Sequence, residues 1–225
     1  MPVHPNFLSH IDLLRALPEA LRVRLAERMS RRELPRRAVA QQKGAHAAGL
    51  GFVIRGRLQA VDFTLDGREA GLYFVGPGEH FGELAVIDGE PAPEYIVAIC
   101  HSEVLELPAA DARELLLPVP EVAAALARRL AARVREGFRL RTLLALGNPM
   151  QRLCAQLAHL AGAAGAIDHA PTHQELAIMI NTTRETVTRN MQQLLTQQVV
   201  RRDGERLVIL MPEILAALAR GDSSV

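Results

Sequence analysis

At 225 residues the chain has room for one large or two ordinary domains, each with a core of its own. Apolar residues at 49% and charged residues at 23% are the balance of a globular protein, and the two cysteines, Cys100 and Cys154, lie far apart in no CxxC pair, which excludes a disulfide framework, a zinc finger and a cysteine-ligated iron–sulfur cluster. The formal net charge of +1 is uninformative, but arginine supplies nearly all the positive charge and gathers at 128–141 and 184–206, where its planar fork suits phosphate and base edges.

The opening MPVHPNFLSHIDLLRAL lacks a basic stretch followed by an unbroken apolar core, so no signal peptide is expected. No run is long enough to cross a bilayer, and a cytoplasmic location is the expectation. Leu13, Leu14, Leu17, Leu21 and Leu25 fall at helical spacing around Pro18, which predicts two short amphipathic helices. From about Val39 to Leu107 the texture changes to short runs such as GFVIRG, RLQAVDFT, EAGLYFV and EYIVAI, separated by Gly51, Gly56, Asp66-Gly67, Gly76-Pro77-Gly78 and Asp88-Gly89. Strands at such intervals predict an antiparallel sandwich or barrel, with Asp66-Gly67 as a hairpin turn.

After Pro118 and Pro120 a long helix is predicted from Glu121 to about Leu146. Val122, Leu126, Leu130 and Val134 recur every fourth residue, and Phe138 continues the row. Ala127, Leu130, Val134, Gly137 and Leu144 also read as heptad positions, flawed by Arg141. A helix of about 26 residues would extend about 40 Å. Such a helix outruns a small domain, so a dimer seam is its expected use and burial within its own chain the alternative. Gly147-Asn148-Pro149 then marks a boundary. Helices are predicted near 151–160, 172–180 and 183–195, followed by a hairpin in VVRRDGERLVIL turning on Asp203-Gly204 and a short helix after Pro212.

The segment THQELAIMINTTRETVTRNMQQLL, 172–195, carries the most information. Thr172 and Glu175 form a capping-box pattern. Asn181 suits a left-handed turn, and Thr183 can cap the next helix. In that helix Val187, Met191 and Leu194 share an inward face, while Arg184, Glu185, Thr188 and Arg189 lie on the other side. This is a helix-turn-helix pattern whose second helix offers its first turns to the major groove. Arginine can bond guanine O6 and N7 together, and a carboxylate can accept from cytosine N4. A glutamate facing anionic DNA is otherwise repulsive, so it favours base reading over a generic phosphate surface. Arg201, Arg202 and Arg206 flank the hairpin turn and could meet the DNA backbone.

With both halves read, the chain resembles the CRP/FNR family of bacterial transcription regulators over nearly its whole length. GFVIRGRLQAV and GPGEHFGELAVIDG carry the likeness in the first half, THQELA and TRETVTR in the second. The resemblance implies an α+β fold in three parts. An antiparallel β-roll of the cyclic-nucleotide-binding, jelly-roll type with N-terminal helices covers 1–118, a dimerisation helix 119–147, and a winged helix-turn-helix 148–225. It implies base contacts by Arg184, Glu185 and Arg189, with Thr172, Thr183, Thr188, Arg201, Arg202 and Arg206 expected on the backbone. The implied partners are palindromic double-stranded DNA with half-sites resembling TGTGA, a second copy of the chain packed through Leu126, Leu130, Val134 and Phe138, and RNA polymerase, met by loops such as 162–169. Neither a membrane nor an enzymatic activity is expected.

The effector is a separate matter. In cyclic-AMP-binding members of the family, Gly-Glu-Leu is followed by an Arg-Ser or Arg-Thr pair that holds the cyclic phosphate. Here Gly82, Glu83 and Leu84 are present, and Glu83 matches the ribose-binding carboxylate, but Pro93 and Glu94, followed by Tyr95, stand where the pair would be. Proline has no donor to offer and Glu94 adds like charge. The Thr-Ser pair that contacts adenine in those members falls at Gly137 and Phe138. Losing a charge-assisted phosphate contact argues against cyclic AMP. A glutamate at the position of Glu94 also occurs in relatives that respond to a cyclic dinucleotide, so cyclic di-GMP fits better, with another signal or no effector still open. No metal is expected. The alternatives are a haem- or metal-dependent redox or gas sensor, with Pro2, His80 and His101 as possible ligands, and a metal-dependent β-roll enzyme. The enzyme would use a His-x-His, and the sequence contains none; nor does it hold a nucleophile elbow, a phosphate-cradling glycine loop or HExxH. Cys100 and His101, neighbours on a predicted strand, would point to opposite faces.

Overall fold

The computed structural model describes residues 4–222 apart from 64, 66, 68 and 169. Pro2, Asp66 of the expected hairpin turn and His169 therefore lie outside the described residues. Residue contacts gather into two units, 1–133 and 134–225.

In the first unit a 3-10 turn over Pro5–His10 leads into a stretch, 11–17, that runs as successive turns where the first helix was expected. Leu14 and Arg15 bond back to the Ile11 carbonyl at 2.9 Å, and Leu17 to Leu14 at 3.0 Å. Leu13, Leu14 and Leu17 are nonetheless buried. Their spacing reported burial and not a continuous helix. Beyond Pro18, α1 covers Glu19–Arg28.

The strands follow as β1 (Ser30–Leu34), β2 (Val39–Gln41), β3 (Gly49–Arg55), β4 (Leu58–Phe63), β5 (Glu69–Val75) and β6 (His80–Phe81). A short helix, α2 (Glu83–Asp88), precedes β7 (Tyr95–Ala98) and β8 (Ser102–Pro108). Two antiparallel sheets result, ordered β1-β8-β3-β6 and β2-β7-β4-β5. Leu34, Val53, Phe81 and Val104 of the first sheet meet Leu58, Ala60, Val75, Ile96 and Ala98 of the second in one apolar layer, the expected product of alternating strands with one face turned inward. Cys100 and His101 sit in the bend between β7 and β8, so the strand placement expected for them does not hold.

A second apolar cluster joins the N-terminal leucines to Leu50, Phe52, Leu105 and Leu107, to α3 (Ala109–Leu116), and to the start of α4 (Pro120–Leu144). Val122 and Leu126 are 0% and 3% exposed there, and Leu130 packs at its edge. The seam expected through Leu126 is corrected accordingly: that side chain is already enclosed by its own unit. Residues four apart drift about 40° around a helix with each step, so the row that starts in the core at Val122 has turned outward by Val134 and Phe138, which are 55% and 62% exposed. Ala127, Gly137, Arg141 and Leu144 are exposed as well.

The second unit takes in the end of α4 through Leu140 and Leu143. Asn148 caps α5 (Pro149–Ala161) with a full capping box to Gln151. A 3-10 turn, Gly162–Ala164, and β9 (Ala166–Ile167) occupy part of the expected 162–169 loop. They are followed by α6 (His173–Met179), α7 (Arg184–Thr196), β10 (Val200–Asp203), β11 (Arg206–Ile209) and α8 (Pro212–Arg220). The small sheet runs β10-β11-β9, with Leu207 opposite Ile167. Leu153, Leu157, Leu176, Val187, Leu194 and Leu215 form the core. Among the described residues no helix is long and apolar enough to cross a membrane.

Candidate nucleic-acid interface and effector site

Local chemistry sets the geometry of α6 and α7. The Thr172 hydroxyl accepts from the Glu175 amide at 3.2 Å, and the Glu175 carboxylate accepts from the Thr172 amide at 2.7 Å. Asn181 takes the left-handed conformation at φ 48°, which lets the chain turn within three residues. Thr183 then accepts from the Thr186 amide at 3.2 Å and starts α7. Val187, Met191 and Leu194 are at most 2% exposed and anchor the helix. On its other side Arg184, Glu185, Thr188 and Arg189 are exposed and line one open face, continued by Gln192, Gln193, Thr196 and Gln197.

The residues expected on the DNA backbone divide. Arg201 is exposed on β10, while Arg202 Nε donates to the Gly204 carbonyl at 3.1 Å. Arg206 Nε pairs with Asp168 at 2.9 Å, both side chains more than half exposed, a contact that solvent screens and that DNA could displace. The hydroxyl protons of Thr172 and Thr188 are committed inside the unit, to the Glu175 carboxylate at 3.0 Å and the Arg184 carbonyl at 2.9 Å. Those two side chains have no free proton for a phosphate. A residue that the sequence reading passed over stands beside them: His173 Nδ1 lies 2.9 Å from Thr188 Oγ1. Its position directly after the Thr172 cap was the available signal.

The roll presents the opposite picture. Gly82 adopts φ 84°, and a Cβ there would lie 2.9 Å from both Gln41 Oε1 and the Gly49 carbonyl, so only glycine fits at the entry to α2. This turn sends Glu83 inward to 1% exposure. Arg133 of α4 forms an ion pair with Glu83, donates to the His80 carbonyl at 3.0 Å and lies over the Tyr73 ring at 4.3 Å. Glu94, 5% exposed, accepts from Tyr73 Oη at 3.2 Å and from Gln41 Nε2 at 3.4 Å. Burial raises the pKa of both carboxyls, with Arg133 opposing it at Glu83 and the Tyr73 hydrogen bond opposing it at Glu94.

Of the residues expected in the pocket, Gly82, Glu83 and Glu94 come together, and Leu84 adjoins them in α2. Pro93 is exposed, and Tyr95 is half-buried with its ring edge-on to Phe63 at 5.6 Å. Gly137 and Phe138 belong to the second unit and are exposed. Sequence reasoning missed Gln41, Tyr73 and Arg133. Arg133 stands one helical turn before Gly137, and that spacing could have pointed to it.

His80, considered above as a haem ligand, is 2% exposed, and burial, then Arg133 and Arg129, push its pKa down to about 3. Its Nε2 lies 4.0 Å from Glu83 Oε2, and neither atom has a hydrogen-bond partner among the described residues. His101 is exposed, 3.8 Å from Glu33. Among the described residues no group of three or more His, Cys, Asp or Glu is placed to hold a metal ion.

Comparison with known proteins supplies the remaining observation. The family described as the Cyclic nucleotide-binding domain matches residues 31–117, and the Crp-like helix-turn-helix domain matches residues 151–218. The Cyclic AMP receptor protein of Thermus thermophilus is 33% identical over 159 residues, covering 71% of this chain and 74% of that protein. The chain belongs to the CRP/FNR family. A CRP-like cAMP-activated global transcriptional regulator of Mycobacterium tuberculosis is 25% identical over 222 residues, 96% of this chain and 99% of that one. The solved structure of the c-di-GMP responsive global regulator CLP of Xanthomonas campestris covers 81% of this chain and 94% of its own, with a TM-score of 0.63 at 22% identity. As a CRP/FNR protein, the chain is a DNA-binding transcription regulator that pairs a cyclic-nucleotide-binding-type roll with a helix-turn-helix.

Proposed function

We propose that the protein binds palindromic duplex DNA as a homodimer, reading half-sites with Arg184, Glu185 and Arg189 of α7. The observation that carries this reading is the division of α7: three inward side chains at most 2% exposed, and a charged face with no protein cover. Arg201, Arg202 and Arg206 set register on the phosphates. Two copies pair through the exposed stripe of α4, Val134, Phe138 and Leu144, with Leu130 at its edge. Reading two half-sites in successive major grooves requires the two α7 helices of such a pair to lie about one DNA turn, ~34 Å, apart. RNA polymerase is the further partner of this reading.

The effector is not cyclic AMP. A phosphodiester at the expected clamp would meet Glu94 and Glu83, and the neighbouring cation, Arg133, is already engaged by Glu83. Glu83 Oε2, buried without a hydrogen-bond partner among the described residues, suits a ligand with hydrogen-bond donors, such as a guanine edge of a cyclic dinucleotide whose phosphodiesters lie away from the two carboxyls. One relative in the comparison is described as c-di-GMP responsive.

Sedimentation of the protein with a palindromic duplex tests the pairing. Two chains per duplex are expected, with a half-site duplex bound far more weakly. One chain per full site at the same affinity would contradict the dimer.

A further inference from the structure

We propose that His173 is a proton-dependent contact for a DNA backbone phosphate, its tautomer fixed by Thr188. The proposal rests on the reading of α7 as the groove-facing helix.

Hydrogen counting carries the argument. Thr188 has one hydroxyl proton, and it is donated to the Arg184 carbonyl at 2.9 Å. With that proton on the Arg184 carbonyl, Thr188 Oγ1 accepts from His173 Nδ1, 2.9 Å away, and the hydrogen is assigned to Nδ1 on this pairing. A neutral imidazole has a single N–H. Nε2 is therefore left with a lone pair, and it meets no partner among the described residues. Phosphate oxygens are acceptors too, so a neutral His173 repels them. A second proton on Nε2 turns the same atom into a charge-assisted donor.

The ring stands at the meeting of three elements. The charged groups that act on it are Arg202 on β10 and Arg184 on α7, and Glu175 on its own helix has its carboxylate held by Thr172. Partial burial first, then Arg202 and Arg184, lower its pKa below the ordinary histidine value in the free protein and favour the neutral ring. A phosphate at Nε2 favours the charged ring. The complex then binds one more proton than the free protein. Affinity rises as pH falls through the pKa of the complex, and gains nothing further below the pKa of the free ring. One proton limits the slope to about tenfold per pH unit. With the Thr172 and Thr188 hydroxyls committed elsewhere, His173 is the side chain at this edge able to gain a donor.

The test is the dissociation constant for a palindromic duplex between pH 8 and pH 6 at fixed ionic strength. The wild type should tighten by several-fold to about tenfold, within the one-proton limit. His173→Gln should bind with one affinity across the range. Thr188→Val frees Nδ1, lets the neutral ring carry its hydrogen on Nε2, and should flatten the wild-type slope. A flat wild type, or a His173→Gln slope as steep as wild type, overturns the proposal. NMR titration of the His173 ring needs no variant. Its pKa should rise when duplex is added, and a pKa that falls or stays put overturns the proposal as well. Glu185→Ala is run in parallel. If it leaves base preference untouched, the groove-facing reading fails; if it shifts base preference while His173→Gln keeps the wild-type slope, this inference alone fails.

Discussion

The two units handle charge in opposite ways. On α7, Arg184, Glu185 and Arg189 are exposed, and the hydroxyls of the Thr183 cap and of Thr188 on the same face are satisfied by backbone a few residues away. In the roll, Glu83, Glu94 and His80 are at most 5% exposed; the partners of Glu83 and Glu94 come from a helix and a strand far along the chain, while His80 Nε2 and Glu83 Oε2 have no hydrogen-bond partner among the described residues. Exposed charge with no internal partner is available to an outside one. Buried charge that has found an internal partner is not, unless the ligand displaces that partner. The charged face of α7 is open, whereas Glu83 and Glu94 of the roll are held by partners from within the chain.

The sharpest way to break this contrast is Arg133→Ala. It strands the Glu83 carboxylate at 1% exposure, and loss of one partner from a buried pair costs about 3–5 kcal/mol. Denaturant unfolding at pH 7 should register that loss. The Glu83 pKa is already raised by burial and rises further without the arginine. The folded variant then binds more protons than the unfolded chain between the two pKa values, so its stability deficit shrinks as pH falls through the raised, folded-state pKa. Adding Glu83→Gln should recover part of it. A loss below about 1 kcal/mol would be that of a surface pair and would erase the distinction between the units.

A smaller effect sharpens the other side of the comparison. Cyclic AMP at millimolar concentration should move the thermal midpoint by less than about 1 °C, since stabilisation requires concentrations well above the dissociation constant. A rise of several degrees with micromolar affinity would mean that the Glu83–Arg133–Glu94 cluster opens readily for a phosphodiester.

The same contrast explains what the sequence could reveal. The DNA face was legible because its determinants are local: Thr172 with Glu175, Asn181, Thr183, and an apolar row at helical spacing all lie within one short stretch. The roll was legible as alternating strands between turn residues. Its pocket was not, because Gln41, Tyr73, Glu94 and Arg133 meet only after the sheets close and α4 packs. Segments without a clean period were also missed. β1 reads Ser-Arg-Arg-Glu-Leu, with only Leu34 buried. α2 and α3 are short helices that begin at a left-handed glycine and just after a proline. Leu126 was misassigned for a different reason: a row spaced by four drifts around α4, so its first members face the core and its last face out.

Base preference in Glu185→Ala tests the central claim most directly. Measured against a panel of half-site variants, the substitution should cost about 1–3 kcal/mol at one base pair and relax discrimination there, leaving the other positions as in the wild type. An equal loss of affinity for every variant, or no loss at all, would contradict a base-reading α7.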